Sequence, residues 1–361
     1  MRNIEFHNRE RETKEIRSIL DSRPTSITFI YGPINSGKTE LITHTIDELP
    51  DEYVVFYINL RTKFLSSCDD FIESLFEMEM ETDGALKKRK ETLAELVSSV
   101  TKVAGIPINK EFLDYVFKDN KPKNAFSYII KLFEEVEATG KQPVLILDEL
   151  QKIGDVKVNG FLIYELFNFF IDLTKEKHLA HVFVATSDSL FIEQIYNEAM
   201  LQGRCDYLLV DDFDYEVTMD FLDSYGWGEH EKEITWKCIG GKPVYLIKLI
   251  NAKVSEKKIR DVLDGMLILR TGEIKTTVKR VNELGGEIRI EDSSYAVNYT
   301  GLVDTLKRFV ERDEIDMGEV DEISITFLVK KNILFVDPLT MMVKPQSKLN
   351  LLAIRGAIKD V

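Results

Sequence analysis

The sequence predicts an α/β fold, a three-layer arrangement around a parallel sheet, and three features of the chain predict it. Residues 26–39 run Ser-Ile-Thr-Phe-Ile-Tyr-Gly-Pro-Ile-Asn-Ser-Gly-Lys-Thr, an apolar strand feeding a glycine-bounded loop and a helix start. Residues 143–149, Pro-Val-Leu-Ile-Leu-Asp-Glu, are a second apolar run, and it ends in two carboxylates. Tyr53 to Ile58 and Val182 to Thr186 are nearly continuous apolar runs of strand length. Such runs suit strands covered on both faces, as in parallel sheets.

The spacing from Gly32 to Gly37-Lys38-Thr39 is that of the phosphate-binding loop, G-x-x-x-x-G-K-[ST]. Glycine lets successive N–H groups converge on an anion, and the helix that follows adds its positive N-terminal end. Gly32, Pro33, Asn35, Ser36, Gly37, Lys38, Thr39 and Glu40 are therefore the candidate residues around the phosphates of ATP or ADP. Lys38 would reach the β- and γ-phosphates, and the Thr39 hydroxyl would hold Mg²⁺. A chance turn is the competing account, and the strand before the loop and the helix after it speak against that. At the end of the second run Asp148 would hold Mg²⁺ through its water shell, and Glu149 would polarise the attacking water. Alone, those two acids would equally be an acidic turn after a buried strand; downstream of a phosphate loop they fit the Walker B pattern.

The remaining elements fall in order. Residues 6–21 read as a short approach and a helix, with Asn8 as its cap and Ile16, Ile19 and Leu20 on its apolar face. Residues 69–138 read as helices decorating the sheet, with a break at Gly105-Ile106-Pro107 and a Lys-rich solvated face at Lys87–Lys90. A helix spans Phe161 to Leu173, and Val182 to Thr186 is the strand added between those of the two motifs. This defines a P-loop NTPase sheet of the added-strand type. Such proteins place a polar sensor after the added strand, so Thr186 or Ser187 would feel the γ-phosphate or orient the water. Capping of the helix at Ser189 to Tyr196 explains the same hydroxyls equally well.

The bulk properties set limits. A chain of 361 residues is long enough for two or three domains. A net charge of −15 excludes a general polyanion-binding surface, so any nucleic-acid contact would need a local patch. Cys68, Cys205 and Cys238 are scattered without a C-x-x-C pair, which fits a reducing compartment better than a disulfide framework or a zinc ribbon. No apolar leader or membrane-length run is present, so the expected location is the cytoplasm, with no membrane partner.

Taken in order, these residues resemble the archaeal-type ATPase family, P-loop ATPases close to the STAND switches and the origin-recognition AAA+ proteins. The resemblance starts at Phe6-His7-Asn8-Arg9-Glu10, similar to a family opening whose arginine, here Arg9, lies near the nucleotide base. It continues through both Walker motifs, Ala185-Thr186-Ser187, Gly203-Arg204 and Phe213-Asp214-Tyr215-Glu216. Gly240-Gly241-Lys242-Pro243, Ile333-Leu334-Phe335-Val336-Asp337-Pro338 and Lys344-Pro345-Gln346-Ser347 complete it. The resemblance implies that Arg204 acts as an arginine finger, in cis or from a neighbour. Pairing of Arg204 with Asp206 or Asp211 is the alternative. It also implies that Pro243 presents a rigid edge to adenine, although a proline at a first helical turn needs no such role. No arginine stands near Gly241 to act as second sensor; Lys242 would have to substitute.

The expected organisation is an ATPase core over residues 1–213, a helical lid and linker over 214–297, and a winged-helix unit over 298–361. The last unit tempts a DNA-binding reading. It carries nine Lys and Arg against ten Asp and Glu, and its second helix opens with Glu319, Asp321 and Glu322 facing where phosphates would lie. A protein-contact or intramolecular switch role is favoured instead. His178 and His181 lack a third zinc ligand. Asp211, Asp212 and Asp214 read as a turn with Asp214 capping the next helix. The function expected is an ATP-binding, Mg²⁺-dependent ATPase working as a conformational switch, slow until a protein partner acts. Its rivals are a nucleotide-gated DNA-binding regulator and a protein that holds nucleotide without hydrolysis.

Overall fold

The computed structural model describes residues 6–78, 101–108, 116, 121–153, 160–198, 201–290 and 293–359. The chain opens with α1 (Glu10–Leu20), β1 (Ile27–Tyr31), α2 (Lys38–Asp47) and β2 (Tyr53–Asn59). Then follow α3 (Cys68–Ser74), β3 (Phe76–Met78), β4 (Lys102–Ala104), β5 (Ile106–Ile108), α4 (Lys121–Ala138) and β6 (Gln142–Asp148). The core closes with α5 (Gly160–Ile171), β7 (His181–Thr186), α6 (Ser189–Glu198) and β8 (Cys205–Leu209).

Six of these strands form one sheet in the order β4-β2-β6-β7-β1-β8, with every neighbouring pair parallel. The added strand β7 lies between β1 and β6, as the sequence predicts. Alternate side chains divide the strands between two apolar layers, as a period of two requires. Phe29, Tyr31, Phe56, Leu145 and Val184 pack on one face with α3, α4, α5 and α6. Ile30, Val55, Ile146 and Phe183 pack on the other with α1 and α2.

Two local expectations are corrected. Asn8 does not cap α1: Arg9 is the N-cap residue, in a left-handed conformation at φ 88°, and the Asn8 side chain accepts from the Arg9 N–H instead. The stretch 69–138 is not only helical. Lys102–Ala104 joins the sheet edge beside β2, and β3 pairs with β5. Gly105, at φ 67°, turns the chain between β4 and β5, and a Cβ there would stand 2.5 Å from Glu77 Cγ. The Lys-rich face at Lys87–Lys90 lies outside the described residues.

Downstream come α7 (Tyr215–Ser224), α8 (Glu229–Ile239), α9 (Pro243–Val254) and the 26-residue α10 (Ile259–Leu284). Asp214 caps α7 by accepting from Val217 N–H at 2.9 Å. Phe221, Trp227, Leu246, Leu249 and Leu263 give these helices their own core. The chain ends with β9 (Gly286–Ile290), β10 (Ser293–Val297), α11 (Tyr299–Lys307), β11 (Ile315–Asp316), α12 (Glu322–Lys330), β12 (Leu334–Val336), β13 (Met342–Pro345) and α13 (Lys348–Ile358). A fourth core joins Ile274, Val278 and Val281 of α10 to Leu302, Phe309, Leu328, Val343 and Ile354. β12 and β13 form an antiparallel hairpin, closed between Asp337 and Met342.

Candidate nucleotide site

The loop after β1 is shaped by backbone conformations that side chains rarely adopt. Gly32 has φ 149°, and a Cβ on it would stand 2.2 Å from the Val210 carbonyl oxygen. Gly37 has φ 98° immediately before α2. Between them Asn35 is left-handed and exposed, Pro33 and Ser36 are buried, and Glu40 is exposed on the first turn of α2. The Lys38 side chain is buried, and its Nζ donates to the carbonyls of Gly32 and Pro33, both at 2.9 Å. It therefore lies across the loop where a phosphate would be bound.

Burial, and then the neighbouring Lys242 ammonium, push the Lys38 pKa down to about 8, against the pull of Glu149, Asp148 and Asp212. A bound polyphosphate favours the charged form and raises this value. Above about pH 8 binding must therefore take up a proton, and nucleotide affinity is expected to fall by up to about tenfold per pH unit. Calorimetric titrations in buffers of different ionisation heat, between about pH 7 and pH 9, measure both the fall and the proton uptake; an unchanged affinity would contradict it.

Asp148 ends β6, is 2 % exposed, and faces α2. Its Oδ2 accepts from Thr39 Oγ1 at 2.8 Å, from the Tyr57 hydroxyl at 2.9 Å and from Asn59 Nδ2 at 3.4 Å. Register explains the last two, because Asn59 stands opposite Asp148 across β2 and β6. Burial raises the Asp148 pKa, and the Thr39 and Tyr57 hydrogen bonds oppose that rise. One hydroxyl beside one buried carboxylate suits a magnesium ion that keeps waters and takes its other ligands from phosphates. No cluster of three or more His, Cys, Asp or Glu among the described residues offers a self-contained metal cage.

Glu149, left-handed at φ 63°, is next in the chain. Its carboxylate pairs with Arg61 at 2.5 Å and accepts from Gln151 Nε2 at 2.6 Å. Gln151 Nε2 also lies 3.2 Å from Ser187 Oγ, so Glu149, Gln151 and Ser187 form one polar chain beside the metal-side carboxylate. The two candidate sensors separate here. Thr186 Oγ1 is engaged with the Asp188 backbone, and Asp188 Oδ1, not a serine, accepts from the first N–H groups of α6.

A wall from other parts of the chain closes round the loop. Arg9 is buried, with Nη2 donating to the Ser36 carbonyl at 2.6 Å and the Asp211 carbonyl at 2.7 Å, and its guanidinium 4.6 Å from the Phe213 ring centroid. Lys242, 2 % exposed, donates to the Ile34 carbonyl at 3.0 Å and pairs with Asp212 at 2.8 Å. Pro243 follows it at the first turn of α9, and its Cγ would lie 4.0 Å from a Cβ on Gly37. From the C-terminal hairpin, Gln346 Oε1 accepts from the Ile34 N–H at 3.0 Å, the Tyr31 hydroxyl donates to Asp337 at 3.0 Å, and Lys344 pairs with Asp211.

Comparison with known proteins identifies the assembly. A family described as an ATPase domain predominantly from Archaea matches residues 6–249. The chain belongs to this archaeal ATPase family. A second model, the C-terminal domain of an uncharacterized ATP-binding protein, matches residues 251–358. An uncharacterized ATP-binding protein of Pyrococcus abyssi is 47 % identical over 98 % of this chain and 99 % of its own length. Another, from Methanocaldococcus jannaschii, is 44 % identical over 99 % of this chain and 98 % of its own. Among solved structures, a Walker-type ATPase of Pyrococcus abyssi aligns over 97 % of this chain and 96 % of that one, with TM-score 0.65 and 16 % identity. The Aeropyrum pernix ORC2 protein, in ADPNP–ADP complexes, aligns over 99 % of this chain and 95 % of that one, with TM-score 0.52 and 12 % identity.

In this member of the family one expected site residue stands apart. Arg204 precedes β8, and its carbonyl accepts from the Ile27 N–H at the start of β1. The phosphate loop leaves the opposite, carboxyl end of that parallel pair. Five residues of strand, roughly 17 Å, separate them, so Arg204 is not a finger in cis. His178 Nδ1 meets the Pro24 carbonyl at 2.6 Å, and His181 is buried at the start of β7 with its pKa pushed down to about 4 by burial. Asp211 and Asp212 do more than turn the chain, since each pairs with a lysine from a downstream unit. Arg61, Tyr57 and Gln151 stand at the candidate site though no motif announces them, and Gln346 is announced only by its place in Lys344-Pro345-Gln346-Ser347.

Proposed function

We propose that the chain is a Mg²⁺-dependent ATPase that works as a nucleotide-driven conformational switch, with ATP held between the core and the helical lid. The observation that carries this reading is the double hold on Ile34. Lys242 of the lid takes its carbonyl while Gln346 of the C-terminal hairpin takes its N–H. Both downstream units are thereby bonded to the backbone of the phosphate loop itself. A ligand changes an equilibrium only through contacts that differ between states, and these contacts stand where phosphate would compete for them.

In this reading Lys38 leaves the Gly32 and Pro33 carbonyls to neutralise the β- and γ-phosphates. Thr39 and Asp148 would hold Mg²⁺, which when bound would supply charge neutralisation across the phosphates. Glu149 accepts the proton of the attacking water, and Ser187 with Gln151 fixes where that water stands. Lys242, the counterpart of a second-sensor arginine, turns from Asp212 towards the added phosphate, and Pro243 with Arg9 borders the base. The units are the core over 1–213, the lid over 214–297 and a winged helix over 298–361, read in switching through an unidentified protein partner.

A DNA-reading role gains nothing from the surface. Glu319 pairs with Arg312 at 2.8 Å, Asp313 pairs with Arg355 at 2.8 Å, and Asp321 caps α12. The arginines a duplex would need are thus engaged within the unit. Phosphate release with Mg²⁺-ATP, measured with the nucleotide content of the purified protein, tests the reading. Turnover, however slow, is expected. Tightly held nucleotide with no turnover in any added-partner condition would make the chain a nucleotide holder.

A further inference from the structure

The long helix α10 buries one side in the lid and C-terminal cores through Ile259, Leu263, Met266, Ile274, Val278 and Val281. Its opposite side is exposed to solvent. Asp261, Gly265, Ile268, Leu269, Gly272, Thr276 and Arg280 are all exposed there, repeating at three- and four-residue steps along one stripe. Ile268 and Leu269 are 73 % and 63 % exposed, unusual for two adjacent large aliphatic side chains. A Cβ placed on Gly265 or Gly272 would meet nothing within 4 Å. Gly272 leaves only a shallow, open depression between Ile268, Leu269, Glu273, Thr276 and Thr277.

We infer that this face is where a second copy of the chain docks, with the two α10 helices antiparallel. The order of residues along the stripe argues for that partner. Acid stands at one end (Asp261), base at the other (Arg280), and the apolar stretch lies between them. Reversing a copy of the stripe about the point between Arg270 and Thr271 matches it to itself. Leu269 then falls on the partner's Gly272, Gly265 on the partner's Thr276, and Asp261 on the partner's Arg280. Leu269 thus meets the gap left by a glycine and Asp261 meets its opposite charge, as a two-fold interface requires of one patch, while Ile268 falls beside the stem of the partner's Glu273. Antiparallel helices also oppose their dipoles favourably. A parallel pairing would set Asp261 against Asp261 and Arg280 against Arg280. A different protein partner would have no reason to match this internal order.

One helix crossing is small beside the roughly 800 Å² per partner of a stable complex, so association is expected in the micromolar range. Sedimentation velocity on the full chain, from about 1 to about 200 µM, reads it. The wild type is expected to pass from monomer to dimer within that range. Leu269→Glu is expected to weaken association by about 30-fold or more, as loss of a central anchor does. Asp261→Arg and Arg280→Asp should each weaken it, and the double variant should recover it. Circular dichroism on each variant checks that the exposed substitutions leave the fold intact. A wild type that stays monomeric throughout overturns the inference and leaves the face to another protein. A dimer indifferent to Leu269→Glu overturns it too, and a double variant that fails to recover overturns the antiparallel register. None of these readouts depends on nucleotide turnover.

Discussion

Glu149→Gln is expected to keep nucleotide bound and to lose turnover by roughly 10²- to 10⁴-fold, the range a positioned general base contributes. The amide is nearly the shape of the acid. Its one oxygen can still accept from Arg61, while its amide N–H replaces the oxygen that accepts from Gln151 Nε2 in the native chain, so Gln151 must turn its own oxygen inward. What it lacks is a carboxylate to accept the proton of the attacking water. The left-handed backbone at Glu149 (φ 63°) is no harder on glutamine than on glutamate, so the loss is chemical and not a loss of fold. Single-turnover phosphate release, beside a nucleotide titration of the same protein, measures the two effects separately. Equal rates for the two proteins would remove Glu149 from the base role while leaving the binding site untouched.

Lys38→Ala is expected to abolish useful nucleotide binding. Removing one partner of a buried, hydrogen-bonded charge contact costs about 2–5 kcal/mol, roughly 30- to 5,000-fold in affinity. The substitution also leaves the Gly32 and Pro33 carbonyls without the donor that reaches them at 2.9 Å. Some thermal stability should therefore be lost as well. Equilibrium binding of a fluorescent nucleotide, with a melting curve on the same sample, separates the two losses. Affinity unchanged from wild type would show that phosphate is held elsewhere.

The parts of the fold and site legible in the sequence are those whose chemistry confines neighbours in the chain. Gly32, Gly37, Lys38 and Thr39 must stand at fixed spacing for a backbone loop to surround an anion, and Asp148-Glu149 must end a strand. The apolar runs of β1, β2, β6 and β7 are long and unbroken because both faces of the sheet are covered. The cis placement of Arg204 could have been excluded by the same reasoning. A residue before one strand and a loop after its parallel neighbour lie at opposite ends of a sheet. Asn8 failed as a cap because Arg9 is drawn inward to the Ser36 and Asp211 carbonyls, a demand made by residues 27 and 202 positions away. The short β3, β4 and β5 escaped notice since three residues carry no period. Lys242 and Gln346 reach the loop from 208 and 312 residues away. Lys242 was legible only as a stand-in for a second-sensor arginine and Gln346 only by its place in the Lys-Pro-Gln-Ser segment, and Arg61 and Tyr57 had not even that.

The hold on Ile34 from two downstream units is the centre of the account, and hydrogen exchange over residues 332–347 tests it most directly. The hairpin there is expected to be protected in the nucleotide-free protein, where Gln346 and Asp337 dock on the loop and on Tyr31. In the Glu149→Gln protein with Mg²⁺-ATP the same segment should exchange about tenfold faster or more, as the open state gains population. Gln346→Leu should approach that faster exchange without nucleotide. Identical protection in both nucleotide states, and in Gln346→Leu, would mean that the hairpin is a fixed part of the core and that no switch is built on it.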